Sequence, residues 1–427
     1  MPTCAFITLG CKVNQYDTQS MREALCRHGF AEVDASAVAD LYVLNTCCVT
    51  HESHRRCLRI CRRIGREHPD AAIAVVGCGV EFAPRAFADL PGVVVATNND
   101  GKPRITALVA EAMGQGATPQ TDACEGISSF EGHTRAFVKI EDGCNDFCSY
   151  CIVPHVRGRV TSRPPDDIAA EVERLVHHGY VEIVLTGIHM GCYGLDSGGK
   201  WQLVPLIERL VATPGLRRLR LSSLEVREVT DDLLDLMATS PILCPHLHIP
   251  LQSGYDDVLR AMNRHYTSAE FLDRIAAMRA RIAEPAISAD ILVGFPGETD
   301  AQFRHTIDVV RAAGFTRTHV FPYSDRPGTP AATMDGKVAP PVIKARRTEL
   351  LAVGADLARA YHERFVGREI EVLVEHTRDR RTGHLCGYSE RYVRAYFDGP
   401  DALMGTLARV RVLRVTPRGV AAEPCDP

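Results

Sequence analysis

Cys144-Asn145-Asp146-Phe147-Cys148-Ser149-Tyr150-Cys151 sets three cysteines at C-x3-C-x2-C spacing, just after the apolar run 135–140. A loop this short can turn three thiolates towards one point, and thiolates are the ligands that iron–sulfur clusters take. No fourth cysteine or histidine follows at zinc-ribbon spacing. His155 is the nearest candidate, and Pro154 before it suits a turn better than a ligand. Three ligands on a four-iron cluster leave one iron open to a substrate or cofactor. The bland alternative is three buried or zinc-binding cysteines.

The run leading into this loop is the first of six apolar strand candidates, at 136–140, 181–186, 218–222, 247–251, 287–293 and 319–322. Helical stretches separate them, including 166–178, 231–239, 269–283 and 300–313. Six strand–helix units predict an incomplete TIM-like (βα)6 barrel, with active-site residues on the loops after the strand C-termini. The Cys144 loop obeys that rule. So do Gly187, Glu225, Gln252-Ser253-Gly254 and Gly294-Phe295-Pro296-Gly297-Glu298. Each alone reads as an ordinary turn or cap; at successive strand ends they suit a ring around one small molecule. His246 and His248 share a strand face. The sequence offers them no third ligand, so a packed, hydrogen-bonded pair is expected. Cys192 and Cys244 read as structural.

Upstream, apolar runs at 5–9, 41–44, 71–76 and 93–96 alternate with helical stretches at 17–28 and up to residue 68. That pattern predicts a doubly wound parallel α/β sheet over about residues 1–120. Three runs end in Gly10-Cys11, Thr46-Cys47 and Gly77-Cys78. In a parallel sheet the strand C-termini share one edge, where ligands bind. Cys11, Cys47 and Cys78 can therefore meet as a second thiolate site, with Gly10 and Gly77 allowing close backbone approach. Three unconnected buried cysteines are the plain alternative. Cys48 competes with Cys47. Cys57 and Cys61, four apart, read as a packed helix face. Residues 114–133, rich in Gly, Thr, Ser and acidic residues, read as a linker to a central domain at 130–362.

After a helical connector at 344–365 the period changes to two, at 370–374, 392–397, 407–413 and 420–423. Residues 363–427 are thus expected to form a small antiparallel β-barrel. Arg378, Arg380, Arg381, Arg391 and Arg394, with Tyr388 and Tyr392, mix positive charge with stacking rings, which suits phosphates and unstacked bases. A solvated face is the alternative.

The whole chain of 427 residues carries a net charge of -4, so any nucleic-acid contact must come from local basic patches. Its 16 cysteines, with no signal-like N-terminus, suit cluster ligands in a reducing cytoplasm rather than a disulfide framework. No apolar stretch reaches the length of a membrane span.

The cysteine loop, followed by Ile152-Val153-Pro154 and by Arg157, Arg159 and Arg163, resembles the radical S-adenosylmethionine (SAM) enzymes, and within them the methylthiotransferases. The segment Thr8-Leu9-Gly10-Cys11-Lys12-Val13-Asn14-Gln15-Tyr16-Asp17 is similar to the opening motif of the threonylcarbamoyladenosine tRNA branch. Asn45-Thr46-Cys47 and Gly77-Cys78 resemble that family's other cluster positions, which favours Cys47 over Cys48. The C-terminal segment resembles a TRAM domain.

The resemblance implies two [4Fe-4S] clusters. One, on Cys144, Cys148 and Cys151, binds SAM and cleaves it to a 5′-deoxyadenosyl radical; the auxiliary one, on Cys11, Cys47 and Cys78, presents or supplies sulfur. It implies Gly187 and Glu225 at SAM with Gln252 and Ser253 nearby, and His189 packed against that pocket. Arg378, Arg380, Arg381 and Tyr392 are expected on RNA. The implied reaction puts a methylthio group on carbon 2 of N6-threonylcarbamoyladenosine beside the tRNA anticodon. That C–H bond has no useful acidity at neutral pH, so a radical is needed. A reductant such as flavodoxin or ferredoxin and a sulfur donor are implied partners. Three other readings stay open: isopentenyladenosine in tRNA, a ribosomal-protein aspartate, and a non-enzymatic RNA-binding iron–sulfur protein.

Overall fold

A computed structural model describes residues 1–114 and 126–425; Cys124 and part of the expected linker lie outside the described residues. The N-terminal sheet comprises β1 (Thr3–Thr8), β2 (Ala31–Glu32), β3 (Leu41–Thr46), β4 (Ala72–Gly77) and β5 (Val93–Thr97), in the order β2-β1-β3-β4-β5. All of its pairings are parallel. Helices cover both faces, so the central strand β3 is buried at every position. Helix α1 (Lys12–Arg27) starts directly after Cys11, five residues before the helical pattern in the sequence. The pattern misses this first turn because Asn14, although polar, is buried there. Helix α2 (His51–Glu67) is opened by a capping box between Thr50 and Ser53.

Strand β6 (Ala136–Lys139) begins the central sheet. A small antiparallel pair, β7 (Glu141–Asp142) with β8 (Thr161–Ser162), pins the base of the cysteine loop. The remaining central strands are β9 (Glu182–Thr186), β10 (Arg218–Leu221), β11 (His246–His248), β12 (Ala286–Val293) and β13 (Arg317–Pro322). Two parallel three-stranded sheets, β6-β9-β10 and β11-β12-β13, are joined by the bridges Leu219 to Leu243 and Ser223 to His248. The result is six parallel strands in an open barrel. Period two divides their side chains. Ile183, Leu185, Leu219, Leu221, Leu247, Ile287 and Ile291 pack against the surrounding helices in the main core. Glu182, Arg220, His248, Asp290 and His319 take the opposite, inner face. Helix α1 lies across β6 at the barrel's open side.

The C-terminal strands β14 (Glu369–Val374), β15 (Leu385–Ser389), β16 (Arg394–Phe397), β17 (Leu407–Thr416) and β18 (Gly419–Pro424) close into a barrel, β14-β15-β16-β18-β17. Strand β15 is absent from the sequence reading because Leu-Cys-Gly-Tyr-Ser is buried on both faces at four of its five positions and does not alternate. The pairing of β16 with β18 is parallel; the others are antiparallel. Arg218 donates to Glu371, and Arg220 to the carbonyls of Ser389 and Glu390. Arg135 pairs with Glu375 at 2.9 Å. These contacts fix the C-terminal barrel to the central sheet. Among the described residues, no helix is long and apolar enough to cross a membrane.

Candidate active site

Cys144, Cys148 and Cys151 sit in one loop held from several sides. Cys144 N donates to Gly158 O, and Cys151 N to Cys148 O. Asn263 Nδ2 donates to the carbonyls of Asp146 and Phe147, bracing the residue with positive φ (Phe147, 46°) that turns the chain between the first two cysteines. Ser149 is tied through its N and Oγ to Met262 O and Ala261 O. Burial and the two neighbouring thiols push Cys151 up to about 12. Arg264 Nη1 lies 3.4 Å from Cys148 Sγ, Nη2 pairs with Glu225, and Nε is buried with no hydrogen-bond partner among the described residues. Three crowded thiols with a buried, under-satisfied guanidinium beside them suit an anionic cluster, whose metal makes thiolates of the thiols and whose sulfides accept from arginine.

The second set lies on the N-terminal sheet. Cys11, Cys47 and Cys78 follow β1, β3 and β4 at one sheet edge. A Cβ on Gly10 would lie 2.9 Å from Cys47 Cβ and 3.1 Å from its Sγ, so this approach needs glycine. Burial raises Cys47, and Cys11 and Cys78 raise it further. Cys48 is fully buried and packs with Cys78, Ile152 and Val156. Arg326 is buried beside Cys47 and Cys48, and its Nε and Nη2 have no hydrogen-bond partner among the described residues. A guanidinium packed over the Phe82 ring at 4.2 Å, with two nitrogens unsatisfied, fits an anionic cluster here too. Cys57 and Cys61 are packed core residues on α2.

The two sets face each other. Arg157, just beyond the first loop, donates from Nε to Cys78 Sγ at 3.2 Å, from Nη1 to Asp142 at 2.8 Å and from Nη2 to Asn14 Oδ1. Beneath it Asp17 binds Lys102 at 2.7 Å and Lys139 at 2.6 Å. Burial opposes ionisation of Asp17, but Lys102, Lys139 and Arg157 together hold its carboxyl well below the usual range.

Of the expected SAM contacts, Glu225 is half-buried against Arg264. Gly187 abuts Glu141, whose Oε1 a Cβ there would meet at 2.2 Å. Burial raises Glu141 to about 8. Gln252 adopts φ 59° and is half-buried with no side-chain partner among the described residues. Ser253 is buried, and its hydroxyl serves Tyr255 N and Thr306, which points it into the scaffold. His189 lies 3.5 Å from Cys144 Sγ and 2.5 Å from Glu228 Oε1, with Cys192 Sγ alongside.

On the C-terminal barrel, Arg380 and Arg381 are exposed, whereas Arg378 is occupied by Asp401 and by the carbonyls of Gly383 and Gly399. Tyr392 turns inward: Arg220 Cζ lies 3.9 Å from its ring centroid and His246 packs edge-on at 4.6 Å. The sequence reading passed over Asp17, Arg264 and Arg326, whose partners are far away in the chain, and gave Arg157 no partner. It also passed over a local signal: Arg55, Arg56, Arg59, Arg62, Arg63 and Arg66 are all exposed on α2.

An open parallel barrel with a three-cysteine loop after its first strand defines a radical SAM enzyme. Residues 138–310 match the Radical SAM superfamily model, and residues 3–97 match that of the Uncharacterized protein family UPF0004. A threonylcarbamoyladenosine tRNA methylthiotransferase of Bacillus subtilis is 34% identical over 97% of this chain and 94% of its own. Its namesake in Chlamydia pneumoniae is 37% identical over 99% and 98%. A tRNA-2-methylthio-N(6)-dimethylallyladenosine synthase of Frankia casuarinae is 38% identical over 89% and 73%. The chain belongs to the tRNA methylthiotransferase family. The radical SAM methyltransferase TsrM of Kitasatospora setae shares the fold, with a TM-score of 0.56 at 17% identity over 78% of this chain and 77% of that one.

Proposed function

We propose that this protein converts N6-threonylcarbamoyladenosine beside the anticodon of tRNA to its 2-methylthio derivative. The observation that carries the reading is the pair of three-cysteine sites on facing loops, joined by Arg157. When bound, the two clusters would supply one-electron cleavage of SAM at Cys144, Cys148 and Cys151, and sulfur at Cys11, Cys47 and Cys78. The chain's own residues do the rest. Arg264 and Arg326 offer donors to the clusters, Glu225 and Gln252 line the approach for SAM, and the Asp17 network keeps the two loops in register and dry. Residues 1–120 form the sulfur-site domain, 130–362 the radical SAM core and 363–427 the RNA-binding domain. The arginines of α2, with Arg380 and Arg381, offer charge to tRNA phosphates. A cytoplasmic location, an electron donor of the flavodoxin or ferredoxin kind and a separate sulfur donor complete the proposal.

The competing substrate is isopentenyladenosine, favoured by the similar identity to the dimethylallyladenosine synthases. Mass analysis of tRNA nucleosides from cells with and without the gene separates the two. The proposal expects loss of 2-methylthio-N6-threonylcarbamoyladenosine and build-up of its precursor. Loss of the isopentenyl product instead would transfer the protein to the other branch.

A further inference from the structure

The inner face of the open barrel carries more positive charge than its own carboxylates neutralise. Strand register puts His248, Ser288, Asp290, Arg317 and His319 on one side of β11, β12 and β13. His248 Nε2 lies 3.2 Å from Asp290 Oδ1, and its Nδ1 2.9 Å from Ser288 Oγ; the ring of His319 is 5.6 Å away. Lys12, the first residue of α1, enters from the N-terminal domain. Its side chain is half-buried among Arg220, Cys11, Asp290 and Arg317; burial and the two arginines lower its ammonium, and Cys11 and Asp290 raise it. Two of these groups are already committed: Arg220 to Glu182 at 2.9 Å, and Asp290 to His248. The side chains of Lys12 and Arg317 have no hydrogen-bond or ion-pair partner among the described residues.

Ligand atoms of His248, Asp290 and His319 lie within 4.8 Å of one another, close enough to hold a cation. Two unpaired cationic side chains beside them oppose one and attract an anion instead. Resting on the methylthiotransferase reading, we propose that Lys12 and Arg317 bind a carboxylate on the N6 substituent of the substrate adenosine, and so select an acidic threonylcarbamoyl group over an isopentenyl one. His248 and Ser288 offer the same substituent hydrogen bonds to its hydroxyl and urea groups. Arg317 is exposed and Lys12 half-buried, so an isopentenyl chain in this place would displace water from Lys12 and offer neither cation a partner. Because Lys12 follows Cys11 directly, gripping the substituent also sets the base beside the sulfur site.

The test uses reconstituted holoenzyme and anticodon stem-loop RNAs bearing threonylcarbamoyladenosine, its methyl ester or isopentenyladenosine. Charge-assisted pairing predicts that wild type binds the acid about 10- to 100-fold more tightly than the ester. Lys12→Met and Arg317→Met should erase that preference while binding unmodified loop as before, and Lys12→Arg should restore it. Iron content reports whether each variant is folded and loaded. Equal binding of acid and ester by wild type overturns the inference, as does a preference that survives in both methionine variants. Wild-type turnover of isopentenyladenosine RNA and not of the acid would overturn the substrate reading itself. Turnover of the acid with no dependence on Lys12 or Arg317 would overturn only the inference.

Discussion

Arg157 Nε lies 3.2 Å from Cys78 Sγ, so a side chain from the radical SAM core reaches a thiol of the N-terminal domain. Hydrogen bonds and charge around cluster sulfurs set potential and lability. Arg157→Gln should therefore act on the auxiliary cluster, moving its potential to more negative values and lowering methylthio product about 10- to 100-fold. SAM cleavage should stay near wild type. Redox titration followed by EPR checks this; a parallel loss of both activities would contradict it.

Single-cysteine variants should divide the chemistry. Cys148→Ala removes a buried ligand next to Arg264 and should abolish both 5′-deoxyadenosine release and modification. Cys47→Ala should leave SAM cleavage and stop sulfur insertion. Iron should fall from about eight per chain to about four in each variant. Methylthio product from Cys47→Ala protein would turn attention to Cys48, which is buried against Cys78.

Asp17 is the anion on which Lys102 and Lys139 converge. Asp17→Asn leaves two buried or half-buried ammonium groups short of a partner and should cost about 3–5 kcal/mol of stability. The carboxyl is held below its ordinary range, so its contribution is complete above that range and fades only as pH falls through the lowered value. Thermal unfolding should thus show the same penalty at pH 6 and pH 8. A smaller penalty at pH 6 than at pH 8 would mean that the carboxyl is still protonated there, and would contradict a lowered value.

The exposed arginines of α2 should be visible as salt dependence. Arg59, Arg63 and Arg66 have glutamate partners on the same helix, at Glu52 and Glu67. Arg55, Arg56 and Arg62 are the freer charges. Replacing those three with glutamine should reduce the slope of log affinity for tRNA against log salt by about 2 to 3, since each phosphate contact contributes about 0.9. An unchanged slope would remove α2 from the RNA-binding surface.

Much of this was legible in the chain because the signals are local. The Cys144 loop shows its spacing within eight residues, and each auxiliary cysteine ends an apolar run at a place where parallel topology gathers strand ends. What was not legible depends on partners distant in sequence. Asp17 reads as an ordinary helix residue until Lys102 and Lys139 close on it. Arg326 carries no local signal and stands out only once it is found buried beside Cys48. Tyr392 was read from its neighbours as a stacking ring for bases, but positive φ turns it onto Arg220. Strand β15 was missed for the opposite reason: a strand buried on both faces in a tiny barrel erases the alternation that would announce it.

The C-terminal barrel is clamped, not tethered. Arg135, just before β6, and Arg218 and Arg220, both on β10, grip it from two sides, and Tyr392 is seated between Arg220 and His246 on the floor of the open barrel. A unit mounted this way is a ruler. If tRNA engages Arg380 and Arg381 as proposed, this clamp makes a bound stem offer its base at one set distance from the cysteine loops. Selection among RNAs then becomes a matter of stem length and bend as much as of sequence.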